Sequence, residues 1–317
     1  MTTASGGDAP PLIVVNPRAS LLADPVRRER VVAEVTHAVE RRYGRAPRVE
    51  AGSMKAADSA IAASMTAPVI VVVGGDGTVR QAAEQLSGTP TPLAIVPGGT
   101  GNVLAGTLGI HGVGPGIAAI RTGATRALDL GRARWWPVKR AARLEPHERT
   151  FVVAAGMGLD ARIMAAAEHE WKRRMRFGAY VGAAIGELVR LKAATFRIVA
   201  DGEPFEVVGY LVLIANAGDL VPGRIGPRQR IDPSDGRLDL IVLGGTGPID
   251  AAHSAAELLL RVGEQRGRVV RRLVSQVDVE ADPAQPLETD GDHHPAGRLE
   301  VSVVPAALTV IVPPDQH

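Results

Sequence analysis

The sequence contains no cysteine. That excludes disulfides, a thiolate nucleophile and cysteine-ligated zinc or iron–sulfur centres. Aromatic residues make up only 3% of the 317 residues, so the cores must come from the aliphatic part of a 45% hydrophobic fraction. Lysine is also scarce, occurring only at Lys55, Lys139, Lys172 and Lys192; arginine carries the rest of the positive charge. A net charge of +2 is too small to imply a nucleic-acid partner, while a pI near 9.2 permits contact with an anionic surface. No apolar run approaches the roughly 18–20 residues of a membrane-spanning helix. The start, M-T-T-A-S-G-G-D-A-P, lacks the basic n-region and apolar core of a secretory signal. These absences lead to the expectation of a cytoplasmic protein whose contact with any membrane is peripheral.

What is present is concentrated between Val69 and Asn102. An apolar run, Val69 to Val73, ends at Gly74-Gly75-Asp76-Gly77-Thr78 and is followed by a helical pattern with Val79, Ala82, Ala83 and Leu86 on one face. A second apolar run, Leu93 to Val96, ends at Pro97-Gly98-Gly99-Thr100-Gly101-Asn102. The order is strand, glycine turn, helix, strand, glycine turn. Backbone N–H groups reach a polyphosphate where no Cβ intervenes, and the start of the following helix favours negative charge. Asp76 repels phosphate, so its place between glycines implies a metal ion or an ordered water between the two. Neither turn is of the G-x-x-x-x-G-K-[ST] or G-x-G-x-x-G type.

The length suggests two domains. Leu12–Val15 reads as a buried strand, Asp24-Pro25 as a helix start and Gly44 as its end, with Val31, Val35 and Val39 recurring between them. Pro47–Ala51 reads as a strand and Ala56–Met65 as a helix; further helical stretches lie between Gly101 and Gly109 and between Gly116 and Thr122. The alternation predicts a doubly wound, mainly parallel sheet over residues 1–131. From Arg132 onward the texture changes. An apolar stretch Phe151–Ala155 leads into a helical region, and strands are predicted at 195–200, 205–216, 237–243, 274–280, 299–304 and 308–312. That spacing predicts an antiparallel, β-rich, sandwich-like domain over 132–305, with 306–317 returning to the first domain.

These residues together resemble the diacylglycerol kinase catalytic-domain superfamily of bacterial lipid kinases and sphingosine kinases, over nearly the whole chain. Asn16-Pro17 resembles the family's N-P-x-S-G turn, although Arg18-Ala19-Ser20 leaves out its last glycine. Ser53 stands where the family has a threonine near the nucleotide. G-G-D-G-T is complete, and P-G-G-T-G-N-V-L-A-G-T-L-G-I is similar to the family's P-x-G-T-x-N followed by L-G-I. Leu128-Asp129-Leu130-Gly131 resembles the hinge. G-M-G-L-D-A at 156–161, a basic helix ending in Tyr180, Asn216, S-D-G-R-L-D-L at 234–240, T-D-G-D at 289–292 and a final V-I-V-P also fit.

The resemblance implies an ATP- and Mg²⁺-dependent kinase that phosphorylates a hydroxyl of diacylglycerol or a related lipid at an interdomain site. Asn16, Ser53, Gly74, Gly75, Asp76, Gly77, Thr78, Gly99, Thr100 and Asn102 are the expected nucleotide residues. Asp76 is expected to hold Mg²⁺ in a network with Asp129. Asp235, with the carbonyls of Asp232 and Arg237, is expected to form a structural metal site; an ordinary Asp-Gly turn is the plainer reading. T-D-G-D matches the family's D-G-E loop, making Asp292 the catalytic base, one methylene shorter than usual, with Asp290 as the fallback. The implied partners are a lipid and a peripheral membrane surface, with no nucleic acid and a homodimer left open.

Several features complicate that expectation. The stretch 218–230, G-D-L-V-P-G-R-I-G-P-R-Q-R, lacks the family's G-G-G turn and P-x-A stretch. His293 and His294 follow the base loop and read as loop histidines, with no third metal ligand at suitable spacing. Trp135–Arg140 and Trp171–Phe177 mix aromatics with cations, either as membrane-interface anchors or as basic faces with a tryptophan turned into the core. An NAD kinase shares G-G-D-G-T and a β-rich second domain. That family should show an Asn-Glu pair after the first turn, where this chain has Val79-Arg80-Gln81. A catalytically weak nucleotide- or lipid-binding protein is the rival of a different class.

Overall fold

The computed structural model describes residues 9–136, 145–158, 193–219, 230–247, 250 and 269–314. The chain divides into two compact units. One comprises Met1–Leu130, Asp232–Gly236 and Val304–His317; the other comprises Gly131–Ile231 and Arg237–Val303.

The first unit alternates strand and helix: β1 Leu12–Val15, α1 Pro25–Tyr43, β2 Arg48–Glu50, α2 Met54–Ala62, β3 Ile70–Gly74, α3 Asp76–Leu86, β4 Leu93–Pro97, α4 Val103–Thr107 and α5 Val113–Thr122. The boundaries of α1 follow from its sequence. The Asp24 carboxylate accepts the N–H groups of Val26 and Arg27, Pro25 takes the first turn, and Gly44 at φ 67° closes the helix. Helix α2 begins two residues before the expected Ala56, because the Ser53 hydroxyl accepts the Ala56 N–H and so acts as the cap. The sheet order β2-β1-β3-β4 is parallel throughout. Strands β1, β3 and β4 are buried along their whole length, as strands covered on both faces are. Their Ile13, Val15, Val71, Val73 and Val96 pack with Val31, Val35 and Val39 of α1 and Ile117 and Ile120 of α5.

The remaining strands are β5 Ala124–Trp136, β6 His147–Phe151, β7 Ala154–Met157, β8 Ala194–Ala200, β9 Glu203–Ala215, β10 Gly218–Asp219, β11 Arg230–Ile231, β12 Leu238–Gly244, β13 Val269–Val274, β14 Gln276–Asp282, β15 Pro286–Thr289, β16 Asp292–Pro295 and β17 Arg298–Val312. Within the second unit the pairings are antiparallel. The long β9 gives its first half to β8 and its second half to β7 and β12. Phe151, Met157, Phe196, Val212, Leu240, Val279 and Leu299 lie in one buried cluster. The fold is thus α/β, with a parallel N-terminal sheet and an antiparallel β-rich C-terminal part.

The apolar stretch 151–155 spans the end of β6 and the start of β7, between which the N–H groups of Val152 and Val153 turn to Asp290. Two strand expectations are corrected, and in each a distant aspartate is involved. The 274–280 stretch is interrupted at Ser275, whose N–H, with that of Gln276, goes to Asp201. The two strands expected at 299–304 and 308–312 are one strand, β17. It bends at Ala306 (φ 49°), whose N–H goes to Asp129. The end of β17 lies parallel to β4. The segment Asp232–Gly236 groups with the first unit, although the sequence pattern assigned it to the second. The helical region expected after Gly158, including Trp171–Phe177 and Tyr180, lies outside the described residues, as do 137–140 and 220–229.

Candidate active site

In the first unit the two glycine turns meet. The pairing of β3 with β4 sets Gly74 opposite Pro97, and the Gly98 N–H donates to the Gly74 carbonyl at 2.7 Å. One residue further on, a Cβ added to Gly99 would lie 2.6 Å from the Cα of Gly75, far inside contact distance. Only glycine against glycine fits there. The turn after β1 joins the same place. The Asn16 N–H donates to the Val73 carbonyl at 3.0 Å, and the Asn16 amide donates to the Thr78 hydroxyl at 3.0 Å. The Ser20 and Thr100 hydroxyls are 3.3 Å apart. Asn102, in the left-handed region at φ 51°, accepts the Gly99 N–H and donates to the Gly99 carbonyl, which closes the second turn. Of the expected nucleotide residues, Asn16, Gly74, Gly75, Thr78, Gly99, Thr100 and Asn102 are joined by these contacts.

Asp76 and Gly77 begin α3 in the same turn. Burial raises the Asp76 carboxyl above its ordinary pKa, opposed by N–H groups of Leu104, Val103 and Asn102 that bond to it. Its carboxylate therefore ties the first turn to the start of α4, and among the described residues no cationic side chain is among the influences on it. A partly buried carboxylate balanced by backbone N–H groups alone fits a divalent cation, and the bare glycine turns fit a polyphosphate. Ser53 is not among these contacts; its oxygen caps α2.

Asp129 is 3% exposed and acts as a brace. Its two oxygens accept the Gly236 N–H at 2.7 Å and the Ala306 N–H at 2.8 Å, and its own N–H donates to the Pro233 carbonyl at 2.6 Å. The expected metal loop is held here. The Asp232 carboxylate accepts from Arg126 at 2.7 Å and from the Ser234 hydroxyl at 2.7 Å. Asp235 is exposed. The Arg237 guanidinium donates to Asp201 and Ser275.

In the second unit T-D-G-D forms a hairpin. Thr289 pairs with Asp292, and Asp290 and Gly291 both have positive φ, 46° and 87°, as a tight two-residue turn requires. Asp290 faces inward, its carboxylate accepting the N–H groups of Val152, Val153 and Ala154 at 2.8, 2.9 and 3.0 Å. It is an anchor. Asp292 is half-exposed and takes Arg149 Nη1 on Oδ2 at 2.5 Å. His294 contacts the Thr289 hydroxyl at 3.2 Å, and its ring lies 4.4 Å from that of Trp135, which also stacks on His147 at 5.6 Å. Burial, followed by the charge of Arg149, lowers the His294 pKa, whereas burial raises that of Glu288. Trp135 is thus a core residue rather than an interface anchor, while Trp136 lies beneath the guanidinium groups of Arg134 and Arg298. Arg149 was not identifiable from the sequence, because one arginine in H-E-R-T has no motif around it.

Residues 10–133 match the family model described as "Diacylglycerol kinase catalytic domain", and residues 152–312 match "YegS C-terminal NAD kinase beta sandwich-like domain". A Mycobacterium tuberculosis protein named "Diacylglycerol kinase" is 32% identical over 250 residues, covering 77% of this chain and 76% of that protein. A Pseudomonas aeruginosa protein named "Probable lipid kinase YegS-like" is 28% identical over 247 residues, covering 77% and 76%. The crystal structure of a Bacillus anthracis diacylglycerol kinase superposes with a TM-score of 0.68 at 18% identity, over 96% of this chain and 97% of that one, and bears on the fold alone.

Proposed function

Because the chain belongs to the diacylglycerol kinase catalytic-domain family, we propose that it transfers the γ-phosphoryl group of ATP to a hydroxyl of diacylglycerol or a related lipid. The observation that carries this reading is the contact of Gly75 with Gly99, which brings two bare turns and the N-terminus of α3 to one place. The backbone approaches the phosphates there, and the helix start favours their charge. Thr78, Thr100 and Asn102 hold phosphate or ribose, and Asn16 orients Thr78. Mg²⁺, when bound, neutralises charge on the transferring phosphoryl oxygens. Asp76 is the carboxylate that would hold it. Asp235, with the carbonyls of Asp232 and Arg237, would hold a second, structural ion.

Asp292 takes the proton of the lipid hydroxyl as that oxygen attacks. Asp290 does not serve as its substitute, because its oxygens already accept three backbone N–H groups. A lipid acceptor implies work at a membrane surface, approached peripherally. Among the described residues no helix is long and apolar enough to cross a membrane.

The test is transfer of ³²P from γ-labelled ATP with Mg²⁺ to diacylglycerol in mixed micelles and to a total lipid extract. Asp76→Ala and Asp292→Ala serve as controls, and NADP formation is assayed in parallel. A labelled phospholipid that both variants fail to make is expected. Protein that binds ATP yet labels no lipid would sink the enzyme reading, and NADP formation would replace it.

A further inference from the structure

We infer that Arg149 is a positioning residue for Asp292, compensating for a base one methylene shorter than the family's glutamate; this rests on the reading of Asp292 as the base. The contact is not fortuitous, because the chain is fastened on both sides of it. Asp290, two residues before Asp292, accepts the N–H groups of Val152, Val153 and Ala154. Those residues follow Arg149 by only three to five positions. Arg149 itself sits in β6, paired with Ala133 of β5. The anchored turn therefore delivers Asp292 to a guanidinium whose backbone is already fixed, and Arg149 Nη1 meets Asp292 Oδ2 at 2.5 Å.

What this contact provides is geometry rather than stability. The side chains are 28% and 50% exposed, and ion pairs so open to solvent stabilise a fold little. A guanidinium on Oδ2 restricts the Asp292 rotamer and with it the direction that the carboxylate plane faces. A short carboxylate has less freedom to find its substrate proton by moving, so the loss of that selection falls on the chemical step, where misplacement by about 1 Å can cost on the order of a hundredfold.

The test compares steady-state kinetics of Arg149→Gln, Arg149→Lys, Asp292→Ala and the double variant Arg149→Gln/Asp292→Ala, using ATP and diacylglycerol in mixed micelles, with thermal melts of each. The expected result is a fall in kcat of about tenfold or more for Arg149→Gln, with both KM values and the melting temperature near wild type. Arg149→Lys should recover part of kcat, and the double variant should be no worse than Asp292→Ala alone. Wild-type kcat in Arg149→Gln, or a loss carried by KM or by melting, would overturn the inference while Asp292 stands as the base. An additional loss on top of Asp292→Ala would also overturn it, by showing that Arg149 acts elsewhere. Full transfer by Asp292→Ala would remove the base assignment itself, and with it this inference.

Discussion

Substitution of Gly99 by alanine tests whether the two turns meet as closely as described. The added Cβ would fall 2.6 Å from the Gly75 Cα and 3.1 Å from the Asn102 Oδ1. Carbon atoms in contact rest about 3.5–4.0 Å apart, so the turns must separate by about 1 Å. Neither can yield cheaply, since Gly75 joins β3 to α3 and the neighbouring bond from the Gly98 N–H to the Gly74 carbonyl is only 2.7 Å long. Overpacking of this kind costs about 1–3 kcal/mol, and loss of that bond adds about 1 kcal/mol. A loss of about 2–4 kcal/mol corresponds to a fall in melting temperature of about 5–15 °C at the scale of a domain this size. Gly77→Ala is the matched control, because a Cβ there meets nothing within 4 Å and alanine favours the helix. Its melting temperature should equal or exceed that of wild type, yet protection by ATP with Mg²⁺ should weaken, since the methyl group would stand where phosphate approaches the turn. Thermal melts with and without nucleotide, and calorimetric titration of ATP, read both effects. Gly99→Ala melting and binding ATP like wild type would refute the close meeting of the turns. Unchanged ATP binding by Gly77→Ala would refute the placement of phosphate on this turn.

Asp290→Ala removes the acceptor of three N–H groups and should cost about 2 kcal/mol or more, measured by urea denaturation; a loss no larger than that of Asp292→Ala would contradict the anchor. Asp129→Ala leaves the Gly236 and Ala306 N–H groups without their carboxylate and should cost about 2–4 kcal/mol. It should also speed proteolysis within 232–236, and an unchanged cleavage pattern would count against the brace. For Asp76 the sign follows from its raised pKa. Stability linked to the protonated carboxyl is full below the unfolded pKa and is lost as pH rises through the folded pKa. Asp76→Asn lacks that loss, so its melting temperature relative to wild type should move in the variant's favour as pH rises through the acid range. A constant difference across that range would show that burial does not disfavour the charged form.

Much of the proposed nucleotide half was legible because its chemistry is local. Gly74-Gly75-Asp76-Gly77-Thr78 is a strand end, a turn and a helix start in consecutive residues, and the parallel register of β3 and β4 brings the next glycine turn beside it. Helix α1 was legible for the same reason, with Asp24, Pro25 and Gly44 as its own boundary residues. Ser53 suggests a nucleotide contact by position, and a serine three residues before a free N–H is also a helix cap, which it is here.

The rest of the chain shows how distance in sequence hides structure. Asp201, Asp290 and Asp129 each look like a turn or hinge aspartate, and each accepts backbone N–H groups from a segment tens of residues or more away. Those acceptances fall at 152–153, at 275 and at Ala306 in β17; the sequence pattern ran through the first two, and around Ala306 it marked a break without showing that one strand continues through it. The same physics separates two acids that the sequence leaves nearly equivalent. In T-D-G-D, the tight turn directs Asp290 toward three donors and Asp292 toward solvent and Arg149. A carboxylate that satisfies three backbone donors cannot take a proton without giving up those bonds. The proposed choice of base therefore rests on Asp290 being a backbone anchor, and that depends on the fold around the turn as much as on the motif.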